Sequence, residues 1–304
     1  MLLAIPLCAA ICALVVRAEE QERQVLSCSV IKEAIDALPD GGGRVVLAAN
    51  SDYICTESIP IKKNNVHLIG GAGTWIRLAD GVNQPVVLVG DPSQPPTAVV
   101  EGVVLSGLNI DGNRLGQEFE CNKGACEGDD IHRNNGITLR KVKNAPITQT
   151  TIRDAVSGGV VTEHGCENLI LRDLRVSGSG FDALALYATA GVVGSNLILS
   201  DNLAAGFSVD QMLSNSTFSG LVISRSGSVA MFLRWTKNVV FNGVVVDGTG
   251  LKRDQAEPGV FLADVPGEPD AAPSGFCNSS FHRRTRDPLL PPLSAVISNC
   301  VASG

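Results

Sequence analysis

The sequence predicts an all-β chain coiled as a β-solenoid, and three observations lead there. A repeat of roughly 22–25 residues runs from Asn135 to Gly250 as NGITLRKVKNAPITQTTIRDAVSG, GVVTEHGCENLILRDLRVSGSG, FDALALYATAGVVGSNLILSDNLAA, GFSVDQMLSNSTFSGLVISRSGS and VAMFLRWTKNVVFNGVVVDGTG. That period is too short for WD40 or HEAT units and suits stacked β-coils. Each unit carries short alternating apolar runs, such as Ile137/Leu139 and Ile147/Ile152, broken by Gly, Asn and Asp. Period-two alternation is a strand signal, and helical spacing is absent. Asn recurs near one bend, as Asn144, Asn168, Asn196, Asn215 and Asn238. Asn tolerates the left-handed backbone of a tight turn and can bond to its counterpart on the next coil.

Composition agrees with a packed β domain. Of 304 residues, 44% are hydrophobic and 18% charged, with 24 Lys plus Arg against 31 Asp plus Glu and a net charge of −7. Such a chain is neither disordered nor collagen-like. It has no basic run of the kind that tracks a phosphate backbone, so no nucleic-acid partner is expected.

Residues Leu2 to Val16 are almost wholly apolar and precede Arg17-Ala18. Met1 to Ala18 is therefore expected to be a cleaved signal peptide, although no Lys or Arg precedes the apolar run. The apolar run is short for a membrane span. The mature chain, 19–304, is expected to be one secreted, monomeric domain with no membrane association after cleavage. Seven cysteines remain, and the expected disulfides are Cys28–Cys55, Cys121–Cys126 and Cys277–Cys300, leaving Cys166 free. Asn215 and Asn278 open glycosylation sequons.

Next comes a short amphipathic helix with Val30, Ile31, Ala34, Ile35 and Leu38 on its apolar side, then Gly41-Gly42-Gly43 and a first strand from Arg44 to Ala48. The helix would cover the open end of the core, where strand edges could otherwise pair with another molecule. Gly70-Gly71-Ala72-Gly73 lacks the Lys-Ser/Thr and following helix of a phosphate-binding loop and reads as a solenoid turn. Asp111 to Asn134 breaks the repeat as a long polar insertion. Its Glu127, Asp129 and Asp130 are candidate oxygen ligands for Ca²⁺, with a solvated acidic loop as the simpler reading. His132 reads as structural or exposed. The chain ends at Cys300-Val301-Ala302-Ser303-Gly304, just after a strand-like run, with no matching C-terminal cap, which leaves an exposed last coil or a truncated end as readings.

From Val30 onward these residues resemble the right-handed parallel β-helix of the pectate-lyase-like superfamily. The resemblance rests on the coil pattern and the N-terminal stretch IKEAIDALPDGGGRVVLAANSDYICTESIPIKKNNVHLIGGAGTWIRL. It implies an acidic, uronate-containing polysaccharide as partner, often with Ca²⁺. The sequence lacks the DPHD run of alginate epimerases and the GDD and GHG motifs of polygalacturonases, so the resemblance fixes no reaction.

With Ile137/Leu139, Val160/Thr162, Leu184/Leu186, Phe207/Val209 and Met231/Leu233 facing inward, an outward row follows: Arg140, Glu163, Tyr187, Asp210 and Arg234. A second outward row is Thr138, Val161, Ala185, Ser208 and Phe232, with His164, Gln211 and Trp235 at the turn. At about 4.8 Å per coil the row spans roughly 19 Å, enough for several sugars. Arg140 or Arg234 would bind a uronate carboxylate. Tyr187 or His164 would act as base and acid in β-elimination or C5 epimerisation. Trp235 and Phe232 would stack on sugar rings, with Gln211 beside them. Glu163 and Asp210, about 9.6 Å apart by strand spacing, offer an inverting hydrolase instead. A non-catalytic, adhesive carbohydrate-binding β-helix is the third reading, and surface ion pairing of Arg140–Glu163 and Asp210–Arg234 is the purely structural one. Asp182, at the position of Asn135 and Gly158 in earlier units, is expected to bond a turn, with a catalytic role as the lesser reading.

Overall fold

The computed structural model describes residues 24–121, 132–250, 259–262, 275–277, 279–282, 294–297 and 301–302. The expected signal peptide, Cys126, Cys300, Asn278 and the Ca²⁺ candidates Glu127, Asp129 and Asp130 lie outside them. The chain winds through about nine turns as a right-handed parallel β-helix. One face is an eight-stranded parallel sheet of short strands, from Ile59–Ile61 through Val87–Gly90, Ile137–Arg140, Val160–Glu163, Leu184–Leu186, Phe207–Val209 and Met231–Leu233 to Val260–Leu262. Longer strands, such as Cys166–Ser177, Leu213–Ser224 and Thr236–Asp247, build the remaining nineteen-stranded sheet.

The N-terminal helix is Ser29–Asp36, and it buries Ile31 and Ile35 against the core. Ala34 and Leu38 pack partly against the same core, whereas Val30 is 45% exposed and lies off the packed face. A strand absent from the sequence reading, Gln24–Ser27, precedes the helix and pairs with Ser51–Cys55. The expected first strand is present as Gly43–Val46. The Cys28–Cys55 disulfide ties the helix start to this pair of strands. Cys166 is free and buried. Cys121 and Cys277 are also disulfide-bonded, and their expected partners fall outside the described residues.

Between their corners the long strands alternate inward and outward, so the interior is mainly a stack of Val, Ile and Leu with a layer of Phe. Phe207 meets Phe218 and Phe241 edge-on at 4.9 and 5.4 Å, and Phe218 stacks on Phe241 at 5.2 Å. Such pairs add about 0.5–1.5 kcal/mol each beyond area burial.

The corners explain the Asn pattern. Asn144, Asn168, Asn215 and Asn238 all have φ near +50° and share one corner, with Gly191 filling the same place on the intervening coil. Nδ2 of Asn168 donates to Oδ1 of Asn144, and Nδ2 of Asn238 to Oδ1 of Asn215. Asn196 departs from the expected phase. It sits at the next corner, where its Nδ2 donates to Oδ1 of Asp173. Each coil has more than one left-handed corner, so a single-phase count merged two ladders.

Candidate functional site

The short-strand sheet sets the outward rows in the register expected from alternation. Arg140 pairs with Glu163, and Thr138, Val161, Ala185, Ser208, Phe232 and Phe261 follow one another coil by coil. Tyr187, Asp210 and Arg234 directly follow the strands Leu184–Leu186, Phe207–Val209 and Met231–Leu233. The row nevertheless divides into two clusters of different character.

The first cluster is a buried hub around Arg140, which is only 1% exposed. Its guanidinium donates to Nδ1 of His132 at 2.7 Å, to the Ser93 carbonyl at 3.0 Å and to Oε1 of Gln94, and lies 3.4 Å from Nε2 of His164. Glu163 pairs with it at 3.6 Å. Arg140 is thus spent on protein groups and does not present a face to a uronate carboxylate, because the 91–97 loop and His132 cover it. Burial pushes the Glu163 carboxyl up, with Arg140 and then Arg133 opposing. Burial, then Arg140 and Lys141, pull the His164 imidazole down. Neither Glu163 nor His164 lines the two cavities described next.

The second cluster lines two adjoining cavities of about 450 and 190 Å³. Phe181, Asp182, Tyr187 and Asp210 line both. Asp182 is 4% exposed. Its Oδ1 accepts the Ala205 N–H at 2.9 Å, which is the expected turn bond, made in the same way as Oδ1 of Asn135 accepts the Gly158 N–H at 2.8 Å. Its Oδ2 is free of that duty and accepts the Tyr187 hydroxyl at 3.3 Å. Burial pushes the Asp182 carboxyl up to about 6, against hydrogen bonds from Ala205, Ser208 and Tyr187 and the charge of Arg133. Burial and the Asp182 charge push the Tyr187 phenol well above its ordinary range. That setting favours a neutral phenol, a proton donor, over the phenolate that a base would need.

Asp210 is half exposed and pairs with Arg234 at 2.9 Å, so Arg234 is also engaged. Phe232 lines the larger cavity, and Gln211 the smaller one. Trp235 lines neither, and its indole N–H is buried without a hydrogen-bond partner. Sequence reasoning left out Phe181 and Arg133, whose guanidinium lies 5.7 Å from the Phe181 ring centroid. It placed Asp182 first as a turn residue, with catalysis as the lesser reading. The available signal was a pair of small outward residues, Ala185 and Ser208, that leaves room beside these groups. Among the described residues, no group of three or more His, Cys, Asp or Glu is placed to hold a metal ion.

No protein-family model matches the chain, and no curated protein matches it either. Solved structures do. The A-module of Azotobacter vinelandii mannuronan C-5 epimerase AlgE4 superposes with a TM-score of 0.51 and 19% identity over 77% of this chain and 76% of that one. The AlgE6 A-module from the same organism gives 0.52 and 17% over 84% and 82%. A "1,3-alpha-1,4-beta-D-galactose-4-sulfate-3,6-anhydro-D-galactose-2-sulfate 4 galactohydrolase" gives 0.52 and 14% over 76% and 61%. At these identities the likeness is one of fold.

Proposed function

We propose that this protein is a secreted carbohydrate-active enzyme that cleaves a glycosidic bond by acid–base hydrolysis in the cleft of Asp182, Tyr187 and Asp210. The observation that carries the reading is the convergence of two carboxyl groups of contrasting environment on one cleft: Asp182 buried and hydrogen-bonded to a phenol, Asp210 exposed and ion-paired. Carboxyl groups whose surroundings differ in this way divide the acid and base roles. Asp182 would deliver its proton to the glycosidic oxygen as the C–O bond breaks. Asp210 would take a proton from the water that attacks the anomeric carbon, and the Tyr187 hydroxyl would hold Asp182 in place. The parallel β-helix neighbours, named as epimerases and a galactohydrolase, support a carbohydrate as substrate. The Cys28–Cys55 disulfide supports an oxidising, extracytosolic setting.

A second reading, β-elimination or C5 epimerisation of a uronate polymer, draws on Arg133, which lines the smaller cavity and whose charge acts on Asp182. It is the weaker one, because Arg140 is buried and Arg234 is paired. Purified protein incubated with neutral and uronate glycans separates the readings. Hydrolysis releases reducing ends without the ultraviolet absorbance of unsaturated uronates, and Asp182→Asn and Asp210→Asn each abolish release. Unsaturated products, or release unchanged in both variants, would overturn the proposal.

A further inference from the structure

We infer that the cleft is a closed-ended slot that takes the terminus of a glycan chain rather than an open groove that grips its middle. The inference rests on the glycan reading of this cleft and deepens it.

The floor of the slot is the outward row Val161, Ala185 and Ser208. Along one side stand Phe181 and Asp182, at the entry of the strand, and along the other Tyr187 and Asp210, just past its exit. Both ends are walled. In the C-terminal direction the next row member is Phe232, and its ring stacks on Phe261 with centroids 5.1 Å apart and planes 8° from parallel. Two stacked rings in line with the row make a stiff barrier, and the face of Phe232 turned toward Ser208 is an apolar platform of the kind that sugar rings cover.

In the N-terminal direction stands Arg133, which is ion-paired with Glu120 and packed on Phe181. Glu120 also accepts the Ser157 hydroxyl at 3.2 Å, so this wall is pinned to the coil beneath it. Thr138, the row member beyond Val161, lines neither cavity.

Val161 and Phe232 lie three coils apart in register. At about 4.8 Å per coil the floor runs about 14 Å from Val161, beside Arg133, to the Phe232 wall, which leaves room for at most about two pyranose rings once van der Waals radii are taken off. An internal stretch of polysaccharide would have to pass through Arg133 at one end or the Phe232–Phe261 stack at the other. A chain end does not. Because the two carboxyl groups flank the slot, the bond they reach is one near the chain terminus, and the enzyme would release short products.

The test is the dependence of binding on chain length, measured by calorimetry on the Asp182→Asn variant so that turnover plays no part. The probes are oligosaccharide series from disaccharide to octasaccharide, in gluco, manno, galacto and uronate configurations. A closed slot predicts that affinity for the preferred series levels off by the trisaccharide. Phe232→Ala lowers trisaccharide affinity about tenfold, the loss expected when a stacking platform goes. Should Phe232→Ala unfold the protein, Phe261→Ala, at a ring already 39% exposed, removes the ring that braces Phe232 and lowers trisaccharide affinity in the same direction by a smaller factor. Affinity that climbs steadily to the octasaccharide in the parent overturns the closed slot while leaving the glycan reading intact. Absence of binding across all series overturns both.

Discussion

The Tyr187 hydroxyl donates to Oδ2 of Asp182 at 3.3 Å, while Oδ1 of the same carboxylate accepts the Ala205 N–H of the next coil. One oxygen of Asp182 therefore belongs to the scaffold and the other to the cleft. This division lets a residue that bonds a turn also face a ligand.

The raised Asp182 value makes a stability prediction with a definite sign. The folded state holds this proton more tightly than the unfolded chain does, from 3.8 up to about 6. Below about pH 4 the group is neutral in both states and costs nothing. As pH rises through the window from about 4 to 6, the folded protein must bury a charge, and stability falls by up to about 3 kcal/mol. Asp182→Asn keeps the oxygen that accepts from Ala205 and removes the charge. Thermal denaturation should show the variant melting above the parent at pH 7 and level with it near pH 4.

Activity should follow the same proton. If Asp182 is the acid, the rate falls as pH rises through about 6, and Asp182→Asn lowers it by about 10²–10⁴. A pH–rate profile of the parent checks the limb. A limb that persists in Tyr187→Phe with its midpoint shifted upward marks Tyr187 as a positioning residue.

Arg140 should matter to stability far more than its place in an outward row suggests. Arg140→Met leaves Glu163 and the Gln94 and Ser93 acceptors without their cation, at a cost of about 3–5 kcal/mol in urea unfolding. Adding Glu163→Gln to Arg140→Met should recover part of that loss, and a double-mutant cycle measures how much.

Arg234→Ala, by contrast, should change stability by less than about 1 kcal/mol. Its pair with Asp210 is half exposed on both sides, and solvent screens it. The same denaturation experiment reads this directly. Inside the helix, Phe207→Ala should cost about 3–5 kcal/mol, because Phe218 and Phe241 both lose a ring contact.

The coil pattern was legible because alternation is enforced at every strand by the same core. Fixing Ile137, Val160, Leu184, Phe207 and Met231 inward placed Tyr187 and Asp210 on one row in the sequence, and the register agrees. The burial of Arg140 was not legible, since it comes from the 91–97 loop and His132, which stand outside the repeat. Asp182 was recognised as a turn residue from its position. The cleft beside it was not legible, because that emptiness depends on two small side chains, Ala185 and Ser208, that say little one at a time. Asn196 was assigned to the wrong corner for a related reason: two corners per coil accept Asn equally well.

Cleavage in heavy-oxygen water, followed by mass spectrometry of the products, tests the central claim most directly. Hydrolysis in the Asp182–Asp210 cleft places one solvent oxygen at each new reducing end, and neither Asp182→Asn nor Asp210→Asn yields labelled product. Unsaturated products without the label, or C5 hydrogen exchange without chain cleavage, would contradict it.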